Sequence, residues 1–483
     1  MLQPQSQDAA LPTAHTARLG GHFFTGVAAL ATSQLLGRAV GLAFTLALTR
    51  LVSREDFGIF NIGMTTATIA GLVQDLGISR TVVKKVSRNP ATARLIVGLL
   101  VYLKLALAVV AGALVAGALF ALGFERRIAV AGALCALIIP SASLWLLIEN
   151  AAQGLRAIGL LSIGYLSVAV AQSTLALAAA LFSKGDLEIV ILSYALGNVV
   201  ALAILWRGFT RVAGDIAPSV NFQFWRKIVL HSLPYLGAAA AVAALGRVEA
   251  VILGRLVGPA ETAVFVVAFK MFETALFVAY SAQIAMNSIV AGLIRDNRER
   301  FARWFAWETS LAAALLTPAV VAGVLIGPGL LALLFPPTYG EAALPLTILA
   351  GTLPISALQV FASGALMLTN HQRGILAISI STLVVQIALN FALVPHLGAV
   401  GAALAFASGQ VFAAVACIER VRAWLLVGWD ALRPLAYVLA VQIVAAVAGG
   451  LAAWWFGVLP GCAVALLVTL AGLVRRLTLE PPA

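Results

Sequence analysis

The stretch FFTGVAALATSQLLGRAVGLAFTLALTRL, residues 23–51, decides the fold class. Its only charges are Arg38 and Arg50. About 20 apolar residues in a helix cross about 30 Å of hydrocarbon, and this run is long enough to do so with some tilt. It is too long for the apolar core of a secretory signal, and the polar leader before it is weakly basic. It reads as an uncleaved first membrane span.

Working outward, runs of the same kind recur at 57–79, 94–122, 128–153, 158–182, 187–206, 228–256, 261–293, 304–334, 341–369, 374–395, 399–418, 433–455 and 459–474. With the first, that makes about fourteen spans. The composition agrees. Of 483 residues, 62% are hydrophobic and 10% charged, against about 25% charged in soluble domains. Mean hydropathy is +1.03. The longest interior link, around 207–227, is too short for a catalytic domain. The expectation is an all-α integral membrane protein that works within the bilayer. The net charge of +12 then reads as basic loops beside anionic lipid rather than as a nucleic-acid surface. Cys135, Cys417 and Cys462 all fall in spans, with no disulfide or metal spacing. They read as packing residues, and no cofactor signature is present.

The basic residues are unevenly placed. With the N-terminus inside, Arg80, Lys84, Lys85, Arg88, Arg94, Arg156, Arg207, Arg211, Arg226, Lys227, Arg295, Arg298, Arg300, Arg303, Arg373, Arg420, Arg422 and Arg433 fall on inner links, with Arg18, Arg475 and Arg476 in the tails. Outer links hold only Arg50, Arg54, Arg126, Arg127, Lys184 and Arg255. The positive-inside rule therefore places both termini in the cytoplasm and favours an even number of spans.

The halves of the chain resemble each other. Arg50-Leu51-Val52 and Phe60 match Arg255-Leu256-Val257 and Phe265, and Asp56 corresponds to Glu261, each at an offset of 205 (50 to 255, 60 to 265). Six spans separate the copies, so both begin on the same side. This is a parallel repeat about an axis along the membrane normal, an arrangement that encloses a central cavity. The expected organisation is a cytoplasmic leader (1–22), an N-lobe of six helices (23–210), a cytoplasmic linker (211–227), a C-lobe of six helices (228–418), and two further helices with a tail (419–483).

Charges within a bilayer are costly and face a cavity or a partner. Asp75, Glu149 and Glu308 lie near cytoplasmic span ends, within reach of interfacial water. Arg38, Lys104, Arg247, Lys270, Glu249 and Glu273 lie deeper, four basic against two acidic. At 100° per residue, Gln34, Arg38, Gly41, Thr45 and Thr49 share one face of the first span. Asn61, Thr65, Thr68 and Asp75 form a second stripe, and Lys270, Glu273, Tyr280 and Asn287 a third. Lys270 and Glu273 are spaced for an ion pair, whereas Arg247 and Glu249 point about 160° apart. The reading is a net cationic cavity for an anionic head group. Arg38, Lys104, Arg247, Lys270 and Asn61 are candidate substrate-binding residues, and Asp75, Glu249 and Glu273 candidate coupling or gating groups. Guanidinium suits phosphate because it donates two parallel hydrogen bonds. Pro140, Pro234, Pro318 and Pro354 interrupt spans and predict kinks.

Three stretches carry a family resemblance: LTRLVSREDFGIFNIGMTTATIAGLVQDLGISR (48–80), LPYLGAAAAVAALGRVEAVILGRLVGPAETAVFVVAFKMFE (233–273), and LALLFPPTYGEAALPLTILA (331–350) followed by LNFALVPHLGAVGAALAFASGQ (389–410). The chain resembles the polysaccharide transporter branch of the multidrug, oligosaccharidyl-lipid and polysaccharide exporter superfamily, which includes O-antigen flippases. The resemblance implies two six-helix lobes plus two C-terminal helices. It also implies flipping of polyprenyl-pyrophosphate-linked oligosaccharide, with Arg38 and Arg247 on the helices that line the family's cationic cavity. Partners would be the lipid-linked glycan, membrane lipids, and the glycosyltransferases and polymerase of the same process. Where relatives carry Asp before Arg in the seventh helix, this chain has Gly246-Arg247-Val248-Glu249.

Three alternatives remain. A peptidoglycan-precursor flippase would handle a chemically similar head group. A cation-coupled multidrug exporter would want an acidic first-span cavity, where this chain has Arg38. A membrane glycosyltransferase would need a sugar site, and Glu55-Asp56 sits in a link too short to form one. That pair reads as a cap on the second helix, so no catalytic residue is expected.

Overall fold

Backbone groups in hydrocarbon find no water, so each apolar run must satisfy its own hydrogen bonds as helix. The computed structural model describes residues 13–73, 75–230, 244–296, 319–369 and 372–425, with isolated positions elsewhere. Among these residues it is all-helical. The helices are α1 (Thr13–Leu51), α2 (Arg54–Val73), α3 (Ile78–Arg88), α4 (Ala93–Ala121), α5 (Arg126–Ala136), α6 (Ile138–Gly154), α7 (Ile158–Phe182), α8 (Leu187–Ala213), α9 (Val248–Leu256), α10 (Pro259–Asp296), α11 (Gly327–Leu334), α12 (Ala343–Leu368) and α13 (Gln372–Leu425). Seven described segments are long and apolar enough to cross a membrane. The expected spans at 433–455 and 459–474 lie outside the described residues, apart from isolated positions. So do much of 228–256 and 304–334, and with them Glu308, Pro234, Pro318 and Cys462.

The repeat extends beyond residue identities to helix boundaries. At the offset of 205, the end of α1 at Leu51 maps onto the end of α9 at Leu256, and the start of α2 at Arg54 onto the start of α10 at Pro259. The capping bonds map too. Val52 N donates to Leu48 O and Val257 N to Leu253 O, at 3.0 and 2.9 Å. Phe57 N donates to Ser53 O and Thr262 N to Gly258 O, at 2.9 and 3.3 Å. The two copies pack against each other: a Cβ on Gly58 would lie 1.8 Å from Pro259 O, and one on Gly254 would lie 2.4 Å from Ile62 Cδ1.

Arg54 bolts this junction across the two halves. Its Nε donates to Ala260 O (3.1 Å), its Nη1 to Thr338 O (3.0 Å), and its Nη2 to Glu261 Oε1 (3.2 Å) and to Glu341. Arg50 donates to Leu334 O at 2.9 Å nearby. Arg127 pairs with Asp56 and, at 3.7 Å, with Glu55. The carboxylates in the first turn of α2 thus hold an arginine as well as favouring that helix terminus.

Helix α13 is two antiparallel passes rather than one long rod. Gly398 has φ 54° and ψ −131°, a conformation essentially confined to glycine. The chain reverses there: Gly409 packs against Gln386 and Gly374 against Arg420. Ala399 N, freed by the reversal, donates to Glu261 Oε2 at 2.9 Å. The Pro395-x-x-Gly398 segment therefore joins the expected spans at 374–395 and 399–418. A Cβ on Gly398 would lie 2.6 Å from that same Glu261 oxygen. Gly398→Ala is expected to cost about 1–3 kcal/mol from backbone strain alone. The readout is a lower unfolding temperature in detergent, and an unchanged midpoint would exclude the strain.

Several boundaries differ from the sequence reading. α1 begins at Thr13, so the leader 1–22 is partly helical. The 57–79 run is not one helix. It breaks at Leu76 (φ 52°) and Gly77 (φ 74°), and the basic link beyond it folds as amphipathic α3. Ile78, Val82 and Val86 are buried there, while Lys84, Lys85 and Arg88 are exposed. Window averages of hydropathy cannot find such a helix, because only one face of it is apolar. Pro140 separates α5 from α6. It has no N–H for Ala136 O, and Leu137 N turns back to Leu134 O at 3.1 Å. Pro354, by contrast, is accommodated inside α12 without a break. Beyond α8 the chain docks on α4: Ser219 N donates to Gly98 O (3.1 Å) and Trp225 Nε1 to Leu99 O (2.6 Å).

Candidate functional site

A cavity of about 600 Å³ lies between α1, α2, α6, α7, α8 and α10. The stripe on α1 faces it through Gln34, Arg38, Gly41 and Thr45, one helical turn apart, as the 3.6-residue period requires. Asn61 on α2 and Lys270 and Glu273 on α10 complete the polar lining expected from the sequence. The remaining polar groups of these stripes are partly self-satisfied. Asn61 Nδ2 donates to Phe57 O (2.7 Å), Thr45 Oγ1 to Gly41 O (3.0 Å) and Thr68 Oγ1 to Met64 O (2.7 Å). Tyr280 is exposed, and the Asn287 side chain lies outside the described residues.

The charges of the site are centred on Glu273. It pairs with Lys270 at 3.1 Å and lies within Coulombic reach of Arg38 and Arg247. Three cations against one anion leave a net of +2 in a low-dielectric setting, where each charge acts strongly. Among the described residues, no carboxylate forms an ion pair with Arg38. Its guanidinium Cζ sits 4.3 Å from the centroid of the Phe277 ring instead. A ring face orients a guanidinium without neutralising it, so Arg38 keeps free donors toward the cavity. Arg247 does not line the cavity. It holds the N-cap position of α9, following Gly246 (φ 72°) in a break of the helix. Its backbone therefore begins a helix whose N-terminal dipole is positive.

The other sequence candidates lie elsewhere. Lys104 is fully buried and pairs with Asp75. Asp75 also accepts from Ser79 Oγ (2.8 Å) and Ser79 N (3.3 Å), and Asn150 Nδ2 donates to Ser79 Oγ (3.0 Å). Asp75 is therefore itself buried, 8% exposed, with its carboxylate taken up by Lys104 and Ser79. Lys104 thus brings no unpaired charge to the cavity. The sequence reading missed this because the partners are 29 residues apart, Asp75 in the turn between α2 and α3 and Lys104 on α4. Breaking a buried pair leaves an uncompensated charge and costs about 3–5 kcal/mol, whereas removing both partners costs far less. Lys104→Met is accordingly expected to destabilise the protein strongly, and adding Asp75→Leu to restore much of the loss. Thermal unfolding of both variants in detergent checks this. If the double variant is no better than the single one, the pair does not act as a lock.

Glu249 is fully buried in α9, and among the described residues neither of its carboxylate oxygens has a hydrogen-bond partner. It does not line the cavity. Cys135 and Cys417 are buried in the packing, Cys417 with Ser363 Oγ 3.6 Å away.

The sequence reading also missed one wall of the cavity. Trp145 on α6, Tyr165 and Gln172 on α7 and Tyr194 on α8 line it. Trp145 and Tyr165 meet edge to face, 5.5 Å between centroids, and Tyr165 Oη donates to Glu149. The only sequence signal was an aromatic and a carboxylate four residues apart, Trp145 and Glu149, within an apolar helix.

Comparison with known proteins agrees with this architecture. A family model described as polysaccharide biosynthesis protein matches residues 23–290, more than half of the chain. A sequence search of curated proteins gives no match. Among solved structures, the lipid II flippase MurJ in an inward closed conformation matches with a TM-score of 0.73 at 12% identity, over 93% of this chain and 99% of that one. An inward-facing multidrug resistance MATE family transporter of the MOP superfamily matches with a TM-score of 0.63 at 15% identity, over 83% and 99%. An outward-facing MATE family transporter matches with a TM-score of 0.57 at 15% identity, over 84% and 96%.

Proposed function

Because the chain belongs to the polysaccharide biosynthesis protein family, we propose that it flips a polyprenyl-pyrophosphate-linked oligosaccharide across the cytoplasmic membrane, for assembly of a polysaccharide such as O-antigen, capsule or exopolysaccharide. The observation that carries this reading is Arg38, which has no ion-pair partner among the described residues, in a cavity where three cations surround Glu273. A pyrophosphate offers oxygens to both forks of a guanidinium, so Arg38 would hold it directly, while Arg247, behind the lining but within Coulombic reach of Glu273, would add to the attractive field. Lys270 is held by Glu273 in the absence of substrate and would exchange that carboxylate for a phosphate oxygen. Asn61 would bond the same head group.

In this reading the termini are cytoplasmic and the Arg54 junction faces outward. The lobes 23–210 and 228–418 then close on the outside while the cavity receives substrate from the inner leaflet. Substrate can drive the opposite state only by binding it better. Glu249, buried and without a hydrogen-bond partner among the described residues, is the proposed coupling group, for a proton or a small cation. Asp75, tied to Lys104, is proposed to position α3 instead, and Glu273 to gate Lys270. The lipid-linked substrate would come from membrane glycosyltransferases, and its product would pass to a polymerase. MurJ, as its name states, is a lipid II flippase, and a peptidoglycan precursor offers the same pyrophosphate to the same residues. A drug-cation exporter fits less well, since a net positive site repels its cargo.

Purified protein in detergent tests the charge preference. It should bind a bare polyprenyl pyrophosphate saturably and ignore a lipophilic cation such as tetraphenylphosphonium. Saturable binding of the cation alone would overturn the proposal.

A further inference from the structure

The cavity carries two chemically distinct walls, and the flippase reading so far uses only one. Its α1/α10 side holds Arg38, Lys270 and Glu273, while its α6/α7 side holds Trp145, Tyr165 and Gln172. Resting on that flippase reading, we infer that the α6/α7 wall is a carbohydrate subsite, which holds the sugar attached to the pyrophosphate and selects among glycans.

Three observations carry the inference. First, Trp145 is half-buried and lines the cavity together with Tyr165, so this wall offers aromatic surface to a ligand. Second, Gln34 and Gln172 add side-chain amides to the same lining, each able to donate and accept. Glu149, behind the lining, accepts from Tyr165 and holds that ring in place. Third, the rings of Trp145 and Tyr165 stand 68° apart, so they present a corner rather than a flat stack. A pyranose has an apolar C–H face with a slight positive charge, complementary to the negative face of an indole. Its rim of hydroxyls needs the neighbouring amides.

The position of this wall suits a sugar bonded directly to phosphate. Gly37, the residue before Arg38, packs on α7: a Cβ there would lie 3.6 Å from Ala169 Cβ and 3.8 Å from Tyr165 O. The anion site and the aromatic corner therefore adjoin. A linker-free sugar phosphate spans both, with phosphate on the cationic wall and ring on the aromatic one.

The test compares two probes on full-length protein in detergent: a polyprenyl pyrophosphate without sugar, and the same lipid bearing a disaccharide. The glycosylated probe should bind the parental protein about tenfold more tightly, the scale of one good aromatic contact with its hydrogen bonds. Trp145→Leu and Gln172→Leu should each bring the two affinities close together while leaving the bare probe unchanged. Unchanged binding of the bare probe also certifies that the variants are folded. Trp145→Phe, which keeps a ring, should preserve part of the preference, and Arg38→Ala should weaken both probes alike. If both probes bind and Trp145→Leu and Gln172→Leu keep the parental ratio, the subsite is wrong and the flippase reading stands. A parental ratio near one overturns the subsite in the same way. If neither probe binds the parental protein, the pyrophosphate reading fails and the subsite falls with it.

Discussion

Replacing Arg38 with alanine is expected to slow translocation of a pyrophosphate-linked glycan about 100-fold. Hydrogen bonds to charged groups contribute about 1.5–3 kcal/mol each, a bidentate guanidinium makes two of them to phosphate, and about 1.4 kcal/mol is a factor of ten. The full sum is not realised, because phosphate retains Lys270 and the field of Arg247. The effect should exceed that of other cationic substitutions in the cavity, since Arg38 has no ion-pair partner among the described residues while Lys270 has Glu273. Arg38→Lys should fall between, because an ammonium keeps the charge but not the planar fork. Initial rates in proteoliposomes check the order. An Arg38→Lys variant as slow as Arg38→Ala is consistent with geometry dominating, whereas an Arg38→Ala variant at the parental rate removes Arg38 from the mechanism.

Gly58→Ala should have a comparably large effect by another route. The added methyl would lie 1.8 Å from Pro259 O, a backbone atom that cannot rotate away. Something must shift, and the contact it shifts is the junction between the two halves, beside the four bonds made by Arg54. Overpacking of this kind costs about 1–3 kcal/mol, enough to move a balanced two-state equilibrium by roughly ten- to a hundredfold. The closed form at the Arg54 end should lose population and transport should slow at least tenfold. Spin labels at Glu55→Cys and Pro337→Cys, both exposed at this end, should report longer distances in Gly58→Ala than in the parental protein. Arg54→Ala removes the same bonds without adding bulk and should shift the distances the same way. If neither variant changes them, the junction is not a gate.

How much of this was legible in the sequence depends on the range of each interaction. Long apolar runs declare helices because periodicity and length are local. The offset of 205 was visible in a few residues, and the structure extends it to helix ends and capping bonds, which no residue identity encodes. Arg38 stood out because one charge in an apolar run has few alternatives. Lys104 stood out for the same reason, yet its partner Asp75 is 29 residues away in the turn between α2 and α3, and only the fold reveals that the two neutralise each other. Trp145 and Tyr165 were silent, since an aromatic residue on an apolar helix reads as packing until a cavity is found beside it. The amphipathic α3 was masked by its polar face, whereas the break at Gly398 falls between the expected spans at 374–395 and 399–418.

The decisive measurement is leaflet exchange of a fluorescent polyprenyl-pyrophosphate-linked oligosaccharide in liposomes containing the purified protein, followed by an impermeant quencher. Parental protein should expose the inner-leaflet pool to the quencher, and Arg38→Ala and Arg247→Ala should each slow that exposure by at least tenfold. No protein-dependent exchange, or exchange at the parental rate in both variants, would mean that the cationic cavity is not the route of an anionic lipid-linked glycan.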